Sequence, residues 1–522
     1  MRKSYLQIIS FLFLLIPCLS VSAQPPIQWQ KSLGGSNQDR AYSVQQTSDG
    51  GYIVAGNARS TDGDLTGVSY TNKYWVVKLN NLGTIEWQKT FGGLGADNAY
   101  SVQQTIDGGY IVAGESETNG LDVTGNHGYD FWVVKLDDLG TLQWQKALGG
   151  SSYDEARSVR QTSDKGYIIA GYSYSTDGDV TGNHGSTDAW VTKLDSLGTL
   201  QWQKALGGND SEYGWSIQQT SDGGYILAAS TFSDNNGNVP QNNMGNYYIT
   251  SDCWLVKLYS TGNIQWSFCL GDSSDNYAFS AQQTADGGFV VAGTNGPTDN
   301  NISGNHGGED YWVVKLSVAL NIEWEKSFGG SSDDEAYSVQ QTSDGGYIVA
   351  GYSNSNDGDV TGNHGSWDCW LVKLDSAGTL QWQRSFGGTG WEQAWSVRQT
   401  SDGGCVFAGF SASNDGDVSG NHLGSDDYWV VKLGNIITDI DNTKIHENIS
   451  IYPNPATTMI NIRLNRNTTG TFYNIKDIYG QIILTGQLMN ENSEIDISGL
   501  TNGLYLISIC ENFKQTFKII KQ

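Results

Sequence analysis

The sequence predicts an all-β protein whose main body is a seven-bladed β-propeller closed by its own N-terminal strand. Three observations predict it. A unit of about 58 residues recurs seven times, marked by Trp29, Trp87, Trp144, Trp202, Trp266, Trp324 and Trp382 in I-Q-W-Q-K-S-L-G-G or close variants. Their separations are 58, 57, 58, 64, 58 and 58 residues, and a fixed period this long marks a propeller or a solenoid. The composition is rich in turn-forming and aromatic residues, with 66 Gly, 18 Trp and 27 Tyr but only 7 Pro in 522 residues. Finally, the array is staggered. It opens at Ile27 with a lone fourth strand and ends at Leu433 with only the first three strands of the last unit. The lone strand can complete the last blade, which removes the two exposed edges of an open array.

The elements follow in order. Residues 1–23 read as an export signal, with Arg2 and Lys3 as the charged end, an apolar stretch from Leu6 to Pro17, and the small-residue cleavage site Val21-Ser22-Ala23. Cys18 follows Pro17 and fits a lipoprotein site poorly, so no lipid anchor is expected. No other segment reaches about 18 uninterrupted apolar residues, so no transmembrane segment is expected. The propeller is assigned to residues 24–434, a linker to 435–445 and a different domain to 446–522.

One unit shows the blade. Tyr337-Ser338-Val339-Gln340-Gln341-Thr342 alternates like a half-buried strand. Ser343-Asp344-Gly345-Gly346 is a hairpin turn, and Tyr347-Ile348-Val349-Ala350-Gly351 is a second, more apolar strand. A polar loop from Asn354 to Ser366 leads to a third strand, Cys369 to Leu374, and a fourth, Leu380 to Phe386. Four short strands per unit make a propeller blade, whereas a leucine-rich solenoid has one strand per 20–29 residues.

Charge narrows the function classes. Of 29 basic and 55 acidic residues, two basic ones fall in the signal and six of each in 446–522, so the repeat region with its linker, residues 24–445, carries a net charge of −28. That argues against nucleic acid and favours cations or basic partners.

The loop between strands two and three holds the most chemistry. In the sixth unit Asp357, Asp359, Thr361, Asn363 and Asp368 stand at positions 1, 3, 5, 7 and 12, with Gly362 at position 6. This is the ligand spacing of an EF-hand-type Ca²⁺ loop, where glycine permits the sharp turn and a late carboxylate closes the shell. The third unit repeats it with Asp177, Asp179, Thr181, Asn183 and Asp188, the fifth with Asp299, Asn301, Ser303 and Asp310, and the seventh with Asp415, Asp417, Ser419 and Asp426. The first unit has Lys73 at the closing position, the second is one residue short and the fourth is rebuilt. The pattern equally fits an Asx-turn network bonded to nearby amides, since flanking helices and a closing Glu are lacking.

Other recurring residues have structural readings beside functional ones. His127, His184, His306, His364 and His422 fall on different blades, so they cannot converge on one Zn²⁺ and are expected to bond or pack within their loops. Asp39, Asp97, Asp154, Glu212, Asp334 and Glu392, with Asn276 in the fifth unit, precede strand one. They read either as caps for linker amides or as an acidic ring on the same face as the Asp-rich loops. Cys253 and Cys269 flank a hairpin and, counted outward from Leu258 opposite Ile264, sit directly across. They read as a cross-strand disulfide or as two buried thiols. Asn242, Tyr247 and Tyr248, in the insertion of the fourth unit, are the expected ligand-binding residues. No G-x-S-x-G, H-E-x-x-H or phosphate-loop motif occurs, so no catalytic residue is assigned and an enzyme is disfavoured.

Two resemblances add to this. The units resemble bacterial seven-bladed propeller repeats of the SBBP type. Their Gly51-Tyr52-Ile53-Val54-Ala55-Gly56 and Asp-x-Trp-Val-Val-Lys-Leu strands also look kelch-like, over residues 27–434. The resemblance implies the fold and leaves the activity open, because propellers host many functions. Residues 446–522 carry Tyr452-Pro453-Asn454-Pro455, Asp477-Ile478-Tyr479-Gly480, Gly503-Leu504-Tyr505-Leu506 and Lys518-Ile519-Ile520 in that order. This closely resembles the type A sorting domain of the type IX secretion system. It implies a small Ig-like β-sandwich, the secretion machinery as a partner, and a mature protein that is secreted or attached to the outer-membrane surface. The expected role is a monomeric binding or adhesion module for an extracellular glycan or protein. A structural coat protein and a polysaccharide-acting enzyme are the alternatives.

Overall fold

The structure, a computed structural model, describes residues 24–65, 71–241, 250–271, 274–297, 304–422, 425–435, 449–464, 471–477, 482–488, 490, 492–510 and 514–522. The chain divides into two compact units, residues 1–436 and 437–522. Among the described residues every regular element is a strand, and no helix is long and apolar enough to cross a membrane.

The first unit is built from four-stranded antiparallel sheets, one per repeat, seven in all among the described residues. Each runs from an inner strand such as Asp334–Gln341 through Tyr347–Ser353 and Asp368–Leu374 to an outer strand, Leu380–Phe386. The expected stagger is present. The N-terminal strand Ile27–Leu33 pairs with Asp427–Leu433 as the fourth strand of the last sheet.

Burial explains the strand patterns. The two middle strands are buried along their whole length, because neighbouring sheets cover both of their faces. They therefore read as continuous apolar runs, while the inner strand alternates. The third strand of each sheet brings one fully buried Trp: Trp75, Trp132, Trp190, Trp254, Trp312, Trp370 and Trp429. A buried indole needs a partner for its N–H. Gln88 accepts from Trp75 at 2.8 Å and Gln383 from Trp370 at 2.7 Å, both from the outer strand. The fourth repeat has Ser267 there, and the Trp254 N–H has no partner among the described residues.

Adjacent sheets share their cores, and the last shares one with the first. Leu33, Val406, Tyr428 and Val430 cluster with Ala41, Val54 and Trp75. A side chain-to-backbone hydrogen bond recurs at every junction. The last Gln of each inner strand accepts the turn N–H of the preceding sheet, as in Ser48 N to Gln104 Oε1 and Ser343 N to Gln399 Oε1. Ser401 N to Gln46 Oε1, at 2.8 Å, is the same bond from the last sheet to the first.

The second unit has a three-stranded and a four-stranded antiparallel sheet. Ile460, Ile462 and Ile495 of one share a core with Ile475, Ile507 and Ile519 of the other, giving a small sandwich.

Candidate functional site

The Asp-rich loops are networks of separate hydrogen bonds. In the third repeat Asp177 Oδ1 accepts from Ser151 N at 2.7 Å and Asp179 Oδ2 from Gly149 N at 3.3 Å. Thr181 Oγ1 is bonded by Gln203, and Asn183 Nδ2 donates to Ser173 O and Ser175 O at 3.1 Å. Asp188 takes His184 Nδ1 at 2.7 Å. The sixth repeat copies this with Asp357 on Ser331 N, Asp359 in the same loop, Thr361 on Gln383, Asn363 on Ser353 O and Ser355 O, and Asp368 on His364. Calcium needs six to eight oxygens around one point. Here the side chains turn to different partners, and no group of three or more His, Cys, Asp or Glu placed to hold a metal is found among the described residues.

The last repeat departs from the spacing read in the sequence. Its loop is one residue longer, so the closing residue is Asp427, which takes His422 Nδ1 at 2.7 Å. Asp426 instead accepts from Arg40 Nε at 2.8 Å, across the junction to the first sheet. Asp415 and Ser419 accept from Thr389 N and Gln30, and Asp417 pairs with Arg384 at 3.2 Å. In the fifth repeat Asp310 accepts from His306 N at 2.6 Å, while Asp299, Asn301 and Ser303 lie outside the described residues. So do residues 1–23 and the fourth-repeat residues Asn242, Tyr247 and Tyr248. The histidines are bound within their own loops, each with its closing Asp, at 3.2 Å for His127 and 2.7 Å for His364.

The closing Asp and the acid that opens the next inner strand look unrelated in sequence but meet in pairs. Asp130 with Asp154, Asp188 with Glu212, Asp310 with Asp334, Asp368 with Glu392 and Asp427 with Asp39 each flank the first Gly of a Gly-Gly linker. On Gly387, for example, a Cβ would meet Glu392 Oε2 at 2.5 Å and Asp368 Oδ1 at 2.6 Å. All ten of these side chains are fully buried, so the opening acids form no exposed ring. They cap linker amides: Asp39 accepts from Gly35, Arg59 and Ser60 N–H groups at 2.9, 2.8 and 3.1 Å. Burial raises the pKa of Asp154, Asp334, Asp368 and Asp427 to about 6 and of Asp310 to about 7, against the opposite pull of their hydrogen bonds. Two junctions relieve the like charge. Asn276 replaces one acid, and Lys73 replaces the other, with its Nζ 2.8 Å from Asp97 Oδ2.

Sequence reading missed two cavities lined by the inner strands. The fourth residue of every inner strand is bulged out of its ladder, as between Ala41 and Ser43. These residues, Tyr42, Tyr100, Arg157, Trp215, Phe279, Tyr337 and Trp395, line a cavity of about 100 Å³. They touch in an unbroken circuit. Tyr42 meets Tyr100 and Trp395 at 5.1 and 5.4 Å, and Trp395 stacks on Tyr337 at 4.1 Å. Phe279 meets Tyr337 and Trp215 at 5.0 and 5.2 Å, and the Arg157 guanidinium spans Trp215 and Tyr100 at 5.1 and 4.3 Å. Three residues further along each inner strand, Gln45, Gln103, Arg160, Gln218, Gln282, Gln340 and Arg398 line a wider cavity of about 490 Å³ at the turn end. The only sequence signal was the recurrence of an aromatic and a polar residue at fixed places in strand one.

At the opposite, loop end, the residues just outside each acid pair vary between repeats. Two of these positions form aromatic pairs, Tyr129 with Tyr153 and Trp367 with Trp391. The Trp pair stacks at 5.6 Å and 22°, Tyr352 lies under Trp367 at 4.7 Å, and Trp391 is 55% exposed.

The expected facing of Cys253 and Cys269 is corrected. A bulge between Lys257 and Leu258 shifts the register, so Cys253 lies opposite Leu270 and Cys269 opposite Trp254. The two thiols therefore belong to different cores, both are free, and burial pushes both up in pKa.

Fold and tail together define an exported all-β repeat protein with propeller-like sheets. Residues 450–522 match the secretion system C-terminal sorting domain family. This is the sorting domain of the type IX system, and it directs the chain to the cell surface or the medium. A regulatory protein, FlaEY of Caulobacter vibrioides, is 28% identical over 178 residues, which are 33% of this chain and 18% of that relative. The matched part thus spans less than a fifth of FlaEY. Among solved structures, PorZ, an essential surface component of the type IX secretion system of Porphyromonas gingivalis, is similar at a TM-score of 0.41 and 10% identity. That match covers 95% of this chain and 61% of PorZ. The WD40 domain of Neurospora crassa Pan2 is similar at a TM-score of 0.43 and 9% identity, over 77% of this chain and 95% of that one.

Proposed function

We propose that the seven sheets are the blades of a closed propeller and that the mature protein is a binding module outside the cell. Closure is supported by the N-terminal strand in the last sheet and by the junction bond repeated from Ser401 to Gln46. The binding reading rests on one observation. A repetitive frame carries an exposed Trp391 stacked on a half-buried Trp367 at its loop end, where the repeats otherwise differ. An exposed indole held in place by a second one offers an apolar platform at low entropic cost, the kind of surface that sugar rings and partner side chains stack on. An enzyme would need a unique constellation in one pocket, and the two cavities are lined by amides, aromatics and arginines.

The test is a glycan and protein array on the mature chain and on the W367A/W391A variant. Ligand capture that the variant loses at least ten-fold supports the reading. Capture unaffected by the variant moves the site elsewhere. No ligand at all, with self-assembly seen by light scattering, replaces it with a structural coat.

A further inference from the structure

Arg160 and Arg398 occupy a position at which the other five repeats carry Gln. The Gln side chains there have a structural task. Gln45 Oε1 accepts from Gln104 N at 2.7 Å, and Gln282 and Gln340 accept from Gln341 N and Gln399 N at 2.8 and 2.7 Å. Arginine has no acceptor and cannot make this bond. The two arginines therefore give up a ladder contact that the fold otherwise uses.

The compensation is partial and leaves the charge unmatched. Each Nη1 donates to neutral oxygens only: Arg160 to Val159 O at 2.8 Å and Ser101 Oγ at 3.3 Å, Arg398 to Val397 O at 2.7 Å and Ser338 Oγ at 3.3 Å. Among the described residues neither has a carboxylate in ion-pair range, although residues 24–445 hold 49 acidic residues. The acids at this rim are already engaged. Asp49, Asp107, Asp164, Asp222, Asp286, Asp344 and Asp402 each pair with a buried Lys at 2.9–3.0 Å. The two guanidiniums thus stand as uncompensated charges on one cavity of about 490 Å³, far more than the roughly 30 Å³ of a water. Burial pushes both down in pKa, Arg160 to about 9, with Arg398 adding repulsion. Both side chains are half-buried, so like charge is only partly screened there, and an anion between the two lowers the remaining cost.

We propose that the cavity at the turn end of the inner strands is an anion site in which Arg160 and Arg398 hold a tetrahedral oxyanion of the phosphate or sulfate class. Guanidinium matches such oxyanions by paired N–H donors, and the Gln amides supply further neutral donors. The aromatic circuit narrows the space behind the site, so the ion enters from the turn end. The oxyanion is either free or the ester at the end of a saccharide. The site stands apart from Trp367 and Trp391, which lie at the other end of the inner strands, so either can fail alone.

The experiment is calorimetry and thermal melting of the mature chain with sodium sulfate, sodium phosphate and glucose 6-sulfate, against sodium chloride at equal ionic strength. One saturable site per chain is expected. R160Q and R398Q are each expected to weaken it at least ten-fold, and the double variant to lose it. Because Gln restores the residue of the other repeats, the double variant is expected to fold and to melt higher than the parent without anion. Binding of the ester with competition by free sulfate assigns a saccharide source, and binding of the free ions alone assigns an inorganic one. No saturable heat with any of the three at 20 mM, or equal binding by the folded double variant, overturns the proposal.

Discussion

Gly351→Ala is expected to be among the most damaging single-methyl additions in the protein. Gly351 sits in a fully buried strand opposite Ala336 of the inner strand, next to the bulge. A Cβ there would meet the Glu335 carbonyl carbon and Tyr311 Oη at 2.8 Å, with the Glu335 carbonyl oxygen nearer still. The obstacle is mainly backbone, so a rotamer change cannot relieve it. Overpacking of this kind costs about 3 kcal/mol, the upper end of the usual range. With an unfolding entropy of roughly 2.1 cal/mol/K per residue over ~400 residues, that lowers the melting temperature by about 3 to 4 °C. The fourth repeat contains the rescue. There Ala229 faces Gly214, the reverse of the Gly–Ala order in the other six repeats. A Cβ on Gly214 would lie 2.5 Å from Gly171 O, so this inner strand has shifted toward the preceding sheet into space only glycine can use. A336G alone is expected to cost about 1 kcal/mol. The A336G/G351A double variant is expected within about 1 kcal/mol of the parent instead of 4 kcal/mol below it. Calorimetric melting of the four proteins measures this coupling. A harmless G351A, or a double variant showing the simple sum, refutes the reasoning.

Three further outcomes follow. The melting temperature is expected to peak near pH 4. Burial holds Asp154, Asp334, Asp368 and Asp427 near 6 and Asp310 near 7, so the folded state binds extra protons above the ordinary carboxylate range and loses stability as pH rises from about 4 to 6 or 7. Against partial burial, the Thr and Lys partners of Asp49, Asp164, Asp222 and Asp286 hold these near 2, so their contribution disappears as pH falls from about 4 to 2. Stability that climbs steadily from pH 5 to 8 contradicts this. Thiol reagents are expected to find Cys253 and Cys269 unreactive in the native protein and both reactive in denaturant without reductant; a missing pair of thiols would restore the disulfide. Calcium added to the metal-free protein at millimolar concentration is expected to give no saturable heat, since Asp177, Asp179 and Asn183 oxygens accept from Ser151, Gly149 and Gly185 N–H groups in turn, and a saturable isotherm would reverse that reasoning.

The strands were legible because their causes are local. Tyr347 to Gly351 and Cys369 to Leu374 are apolar runs between turn residues, and the stagger at Ile27 and Leu433 pointed to the pairing that Ile27–Leu33 makes with Asp427–Leu433. The amides that the loop acids meet were less legible, because Asp177 and Asp357 reach back to Ser151 and Ser331 in the preceding linker and not to amides beside them. What sequence could not supply was register and convergence. One bulge at Lys257 moved Cys253 away from Cys269, and one extra loop residue moved the closing role from Asp426 to Asp427. Neither has a marker in composition. The acid pairs and the two cavities are meetings between different repeats, and periodicity shows that residues are equivalent without showing which of them face each other.

In a protein this repetitive, departures from the repeat carry the most information, and the structure sorts them by whether the fold gains from them. Gly214 and Ala229 exchange places and compensate each other within one hairpin. Lys73 replaces an acid and finds Asp97 in the same junction. Arg157 replaces an aromatic in the collar and is held by Tyr100, Trp215 and Glu155. Each of these is explained by its own neighbours. Arg160 and Arg398 differ in kind: they forfeit a bond that Gln makes in other repeats, gain only neutral partners, and place two like charges on one cavity. That placement is what the proposed oxyanion uses, since two guanidiniums on one cavity offer paired N–H donors to a phosphate or sulfate.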